Sequence, residues 1–135
     1  MMTFREHKNI DKQQLNDLYN SVQWYAYTND LQRLQQACEQ SLDVVSAWEG
    51  NTLIGLIRVV GDGLTIIYIQ DILVHPTYQH KGIASQLMSH VLKKYDDVRQ
   101  KVLLTEEASD VRHFYEKHGF ASCDNGTLVS FAKLQ

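Results

Sequence analysis

Leu64–Ser85 reads LTIIYIQDILVHPTYQHKGIAS, and the change of period inside it decides the fold. Residues 64–74 form an almost unbroken run of Ile, Leu and Val, the composition of a central strand buried on both faces. Pro76, the one proline of the chain, turns the backbone. From Gly82 the period becomes helical: Ile83, Leu87, Met88, Val91 and Leu92 share one face, opposite Gln86, Ser89, Lys93 and Lys94. A strand that feeds directly into a helix start presents N–H groups without internal partners at the positive end of the helix dipole. Such a terminus holds phosphate or pyrophosphate. Gly82 and Ala84 lack bulk and let a ligand approach the main chain, while His80 and Lys81 add side-chain attraction. Two other phosphate-binding patterns are absent. There is no GxxxxGK[ST], and the GxG at 61–63 lacks both a third glycine and a following helix.

Working outward, Met2–His7 is a first strand. Asp11 caps a helix with Leu15, Leu18, Tyr19 and Val22 on one face, and Asn29 or Asp30 caps a second with Leu31, Leu34, Ala37 and Cys38. DVVSAWEGNTLIGLIRVV, 43–60, is two β-rich runs around the turn Glu49-Gly50-Asn51, and Gly61-Asp62-Gly63 makes the next turn. Downstream, Val102-Leu103-Leu104 reads as a short buried strand. Ser109 or Asp110 opens a helix carrying Val111, Phe114, Tyr115 and His118, and Gly119 is placed to end it. Two closing strands are expected, at Phe120–Cys123 and Thr127–Phe131, around Asp124-Asn125-Gly126. The predicted order, β-α-α-β-β-β-α-β-α-β-β, is an α/β (α+β) sheet with helices packed on it.

The composition narrows the function. At 135 residues the chain is long enough for one domain with its own core, and no Ser/Gly-rich tract or charge block marks a linker. A formal charge of −3 argues against a nucleic-acid partner, which calls for a basic stripe. No apolar run approaches the ~20 residues of a membrane span. The opening MMTFREHKNIDKQQ turns polar at once and reads as no secretory signal, so the cytoplasm is the expected address. Cys38 and Cys123 form no CxxC pair. The six histidines show no metal-ligand spacing, since His113 and His118 fall on different helix faces; no metal is expected.

Gln79-His80-Lys81-Gly82-Ile83-Ala84 resembles the Q/R-x-x-G-x-G/A motif of the GNAT superfamily of acyl-CoA-dependent N-acetyltransferases. Asp71–Pro76 resembles that family's central strand, and Phe114-Tyr115-Glu116-Lys117-His118-Gly119-Phe120 its FYxxxGF motif. The resemblance covers nearly the whole chain. It implies a single N-acetyltransferase domain over residues 1–135, with a mixed, mostly antiparallel sheet flanked by helices. It also implies acetyl-CoA as co-substrate and a small-molecule amine as acceptor, with a homodimer through the closing strands as a further expectation. Under it, the main chain of Leu73 and Val74 pairs with the pantetheine arm, and the amides of Gln79, His80, Lys81, Gly82, Ile83, Ala84 and Ser85 hold the pyrophosphate. Phe114, Tyr115 and Lys117 flank the acyl-CoA, and Tyr115 is the general acid for the leaving thiolate. Relatives often carry an asparagine where this chain has Ala108.

The chemistry asks for these parts. An amine attacks a thioester only when neutral, so a group must take its proton, and the developing oxyanion needs an N–H donor such as the strand amide near Val74. A phenol with a pKa near 10 suits protonation of a thiolate. Tyr115 also lies on the apolar face of its helix, where core packing is the competing reading. Asp71 is the candidate general base, or else a structural carboxylate. Strand alternation puts it opposite Tyr68 and Gln70 unless a bulge intervenes. Trp24 and Tyr27, in the aromatic segment Val22–Thr28, together with Tyr68 and Gln70, are the candidate acceptor-binding residues. Packing of the helix pair explains the aromatics equally well. A non-catalytic acyl-CoA-binding module, or an acetyltransferase acting on a protein amine, is the alternative function.

Overall fold

The computed structural model describes all residues, Met1–Gln135, which fall into two units, Met1–Leu104 and Thr105–Gln135. In the first unit five strands lie side by side in chain order: β1 (Met2–Glu6), β2 (Asp43–Glu49), β3 (Thr52–Gly61), β4 (Ile66–Val74) and β5 (Gln100–Val102). The first four pair antiparallel and β5 runs parallel to β4. Tight turns join β2 to β3 and β3 to β4. After β3 the Asp62 carboxylate accepts from the amides of Leu64, Thr65 and Ile66 at 2.8–3.1 Å, which closes the loop into β4. A parallel neighbour requires a crossover, and α4 (Ile83–Lys94) supplies it.

Helices α1 (Lys12–Ser21), α2 (Tyr25–Thr28) and α3 (Leu31–Gln40) separate β1 from β2. Asp11 caps α1 through the amides of Gln13 and Gln14, and Asp30 caps α3 through that of Arg33, as the sequence implies. Ile10, Leu15, Leu18, Tyr19, Leu34 and Cys38 pack on Val44, Trp48, Leu56 and Leu73 of the sheet. The opposite face receives α4. Gly55, next to Leu56 and so pointing the other way, lets that helix approach: a Cβ there would lie 3.3 Å from Ile83 Cγ2 and 3.5 Å from Leu87 Cδ1. No helix is long and apolar enough to cross a membrane.

Two sequence expectations for this unit change. The buried strands are β2, over Asp43–Trp48, and β3, over Leu53–Val59, whereas β4 exposes Gln70 and half-exposes Tyr68 and Ile72. The reason is that β5 pairs with only the first three residues of β4. That short ladder covers Gln100–Val102, and Val102 and Leu104 are exposed, so 102–104 is no buried strand.

The second unit is built on α5 (Ser109–Lys117). Gly119, at φ 91°, ends it: its amide bonds to Glu116 O at 3.0 Å and that of Phe120 reaches Tyr115 O at 3.1 Å. This is a Schellman closure. The Phe120 ring folds back on Tyr115 with centroids 5.9 Å apart, so the FY-x-x-x-GF spacing spells a helix end with its hydrophobic clasp. Arg112 bonds Glu107 at 2.6 and 2.8 Å and Asp124 at 3.1 Å, tying the helix to its flanking segments. Neither closing strand forms. Cys123–Asn125 is a single 3-10 turn, and Leu128, Val129 and Phe131 are 69%, 74% and 93% exposed. A β-prone segment gains stability from cross-strand neighbours, and this one pairs with none.

Candidate active site

The strand-to-helix segment sets the first part of the site. His75 N donates to Ile54 O at 2.8 Å, which makes the register pair Gly55/Val74 a non-hydrogen-bonded one. The amide and carbonyl of Val74 therefore turn to the outer edge of β4, where β5 no longer runs, while those of Leu73 face Leu56. Of the two main-chain positions expected to pair with pantetheine, Val74 faces outward and Leu73 does not. The Val74 carbonyl is held by Gln79 Nε2 at 2.9 Å, so its N–H is the group the edge presents.

The chain then makes a 3-10 turn over Pro76–Tyr78, with His75 Nδ1 accepting from Thr77 N at 3.1 Å, and passes through the exposed residues Gln79–Gly82. His80 and Gly82 have positive φ, 64° and 83°. A Cβ on Gly82 would meet nothing within 4 Å, so backbone conformation rather than crowding calls for glycine. No side chain caps α4 at Gly82. An acyl-CoA carries an extended amide-bearing arm and a pyrophosphate. An unpaired strand edge followed by an uncapped, open helix start fits both.

The second part is a buried polar network behind the edge. Arg58 and Asp71 are opposed in the β3–β4 ladder, the next pair is Val59/Ile69, and Gln70 is the extra residue of a bulge. Arg58 Nε bonds Asp71 Oδ2 at 2.8 Å, with the two side chains 7% and 2% exposed. Tyr19 donates to the same oxygen at 2.9 Å, and Tyr27 donates to Oδ1 at 2.5 Å. Gln70 Nε2 donates to Tyr27 Oη at 3.0 Å. The bulge thus brings consecutive side chains, Gln70 and Asp71, to one phenol. Arg58 also reaches Ser41 Oγ at 3.4 Å, and Ser41 bonds Ala37 O.

Electrostatics follow from this packing. Burial, reinforced by Asp71, raises the Tyr19 phenol strongly and the Tyr27 phenol less. Burial works against the Arg58 cation, but Asp71 outweighs it and holds the guanidinium charged. Burial also pushes the neighbouring Cys38 thiol up to about 11. Asp71, expected either as a base or as a structural carboxylate, has both oxygens committed and reaches the surface only through Tyr27. Trp24 packs beside the two phenols, at 6.0 Å from Tyr19 and 6.3 Å from Tyr27. Tyr68 stands half-buried between Val60 and Val102 in the ladder.

Within the second unit, Tyr115 is half-buried. Burial raises its phenol, and a hydrogen bond with the Thr105 side chain opposes that. Phe114 lies 5.2 Å from the Tyr115 ring and 4.9 Å from His118, and Lys117 Nζ is 5.5 Å from the Phe114 ring.

Arg58, Tyr19 and Ser41 are the network members the sequence reading leaves out. The signal was present: Arg58 is the one charge within LIGLIRVV, 53–60, and Asp71 the one charge within IIYIQDILV, on the next strand. Two opposite charges in adjacent apolar strands need each other.

A family model described as the acetyltransferase (GNAT) domain matches residues 7–131. The chain is 30% identical over 134 residues to an uncharacterized N-acetyltransferase, ycf52-like, from Prochlorococcus marinus, covering 95% of this chain and 72% of the relative. It superposes on a GNAT-family acetyltransferase from Streptococcus pneumoniae TIGR4 with a TM-score of 0.88 and 31% identity, over 100% of this chain and 98% of that one. The same fold, at 17% identity and a TM-score of 0.66, is found in AAC(6')-Iy bound to a CoA-linked bisubstrate analogue, with 100% and 99% of the chains covered.

Proposed function

The chain belongs to the GNAT family of acetyltransferases, and from that premise we propose that it transfers an acetyl group from acetyl-CoA to a primary amine of a small molecule. The observation that carries the reading is the outward Val74 amide on the unpaired edge of β4, followed within nine residues by the open start of α4. Acetyl-CoA, when bound, supplies the acetyl group already activated as a thioester. The protein's own part is to hold, orient and move protons. The main-chain amides of the His80–Ser85 segment bind the pyrophosphate, the expected Gln79 amide being spent on Pro76 O at 3.3 Å, and the Val74 N–H donates to the carbonyl oxygen on which negative charge develops.

Tyr115 is the proposed general acid. Its raised phenol keeps the proton on Oη at neutral pH, ready for the departing sulfur. This assignment rests on its place in the FY motif, as do the roles of Phe114 and Lys117 beside the cofactor. Trp24, Tyr27, Tyr68 and Gln70 line the acceptor side. Asp71 enters through Tyr27 rather than as a base that touches the amine, and the proton the amine gives up passes to solvent water.

Calorimetric titration with acetyl-CoA, followed by a thiol-release assay over arylalkylamines, polyamines, amino acids and peptides, tests the reading. Binding with thiol release that depends on a small amine is expected. Release only with peptide N-termini or lysines would move the acceptor to proteins. Binding without release would make the chain a sensing module.

A further inference from the structure

Tyr27 is the point at which the buried network meets solvent. Tyr19, the other phenol on Asp71, is fully buried, whereas Tyr27 is half-buried and its second partner, Gln70, is exposed. A phenol oxygen has one hydrogen to give and two lone-pair sites. At Tyr27 the hydrogen is committed inward to Asp71 Oδ1 at 2.5 Å, and one lone pair is taken by Gln70 Nε2 at 3.0 Å. One acceptor site remains. Arg58 and Tyr19 hold the other carboxylate oxygen at 2.8 and 2.9 Å, so the carboxylate cannot turn and release Tyr27. The order of donors and acceptors is therefore fixed from the core outward.

We propose that the Tyr27 hydroxyl, its hydrogen locked onto Asp71, is the acceptor that orients an N–H of the incoming amine, with Asp71 and Arg58 as positioning residues behind it and Gln70 as one beside it. The inference rests on the proposed acetyl transfer and names the group that selects its acceptor. A hydroxyl whose donor is spent rewards a ligand that brings a donor and offers nothing to a carbonyl or ether in the same place. The raised phenol of Tyr27 keeps this polarity through neutral pH. The Trp24 ring, 6.3 Å from that of Tyr27, gives the carbon skeleton or positive charge of the same ligand an aromatic face.

Tyr27→Phe keeps the ring and removes the acceptor. The experiment measures acetyl-CoA affinity by calorimetry, and thiol release against the concentration of 2-phenylethylamine or spermidine, whichever the unmodified chain acetylates. The expected result is an amine KM raised about tenfold, with acetyl-CoA affinity unchanged and kcat altered less, as loss of one hydrogen bond predicts. Gln70→Leu, at an exposed position, serves if Tyr27→Phe does not fold. It frees Oη from its second anchor and raises the same KM about threefold, again with acetyl-CoA affinity unchanged. Unaltered amine KM in a folded Tyr27→Phe enzyme, or in Gln70→Leu where the first fails to fold, overturns the inference and leaves acetyl transfer standing. An unmodified chain that acetylates no amine removes both.

Discussion

Asp71 shows how much one residue's role depends on its neighbours. Its carboxylate accepts from Arg58, Tyr19 and Tyr27, and the Arg58 charge has no other carboxylate. Replacing one member of such a buried pair strands the other. Asp71→Asn is expected to lower unfolding stability by about 3–5 kcal/mol in urea titration, and Asp71→Leu combined with Arg58→Met to recover much of that. Tyr115→Phe is expected to keep the fold and acetyl-CoA affinity while lowering kcat about a hundredfold in thiol release; unchanged kcat across the pH range would remove Tyr115 as the acid. Asp71 was legible as a chemically loaded residue because a charge in an apolar strand is conspicuous. Arg58 carried the same signal, but the two phenols did not, since a one-residue bulge at Gln70 decides which side chains meet, and no local pattern encodes that shift.

At the scale of elements, caps and turns were the readable features. Asp11, Asp30 and Gly119 perform the terminal roles their residue types suggest. Ala108 is the exception: it occupies the N-cap of α5 and offers no side-chain acceptor. Ala108→Asn should stabilise that helix by about 1 kcal/mol, seen as a higher midpoint in thermal or urea unfolding. Gly82→Ala should cost about 1–2 kcal/mol through backbone strain alone, because a Cβ there touches nothing, and it should weaken acetyl-CoA binding at the start of α4. The closing strands show where local reading fails. Thr127–Phe131 has strand composition, but a strand exists only with a neighbour, and composition carries no information about whether one is present.

For the whole molecule, the charge of −3 excluded little about the site, because the anion-binding segment we propose is made of main-chain amides and needs no basic surplus. The fold class was legible because the period of the apolar pattern changes at Pro76 and the chain order of strands is also their spatial order. One global property follows from the buried network. The Cys38 thiol is raised from 9.0 to about 11, so the unfolded chain loses that proton first and the folded one keeps it. Stability is intact below pH 9 and falls as the pH rises toward about 11, by about 1.4 kcal/mol per pH unit from this group, with the Tyr19 and Tyr27 phenols adding to the loss above their ordinary value of 10. Urea unfolding from pH 7 to 11 measures it, and Cys38→Ala should flatten the first part of the decline. The most direct test of the central claim is thiol release from acetyl-CoA by the purified chain across a panel of small primary amines. Saturable, amine-dependent release is expected, with kcat about a hundredfold lower in Tyr115→Phe. Acetyl-CoA binding with no release for any amine would contradict it.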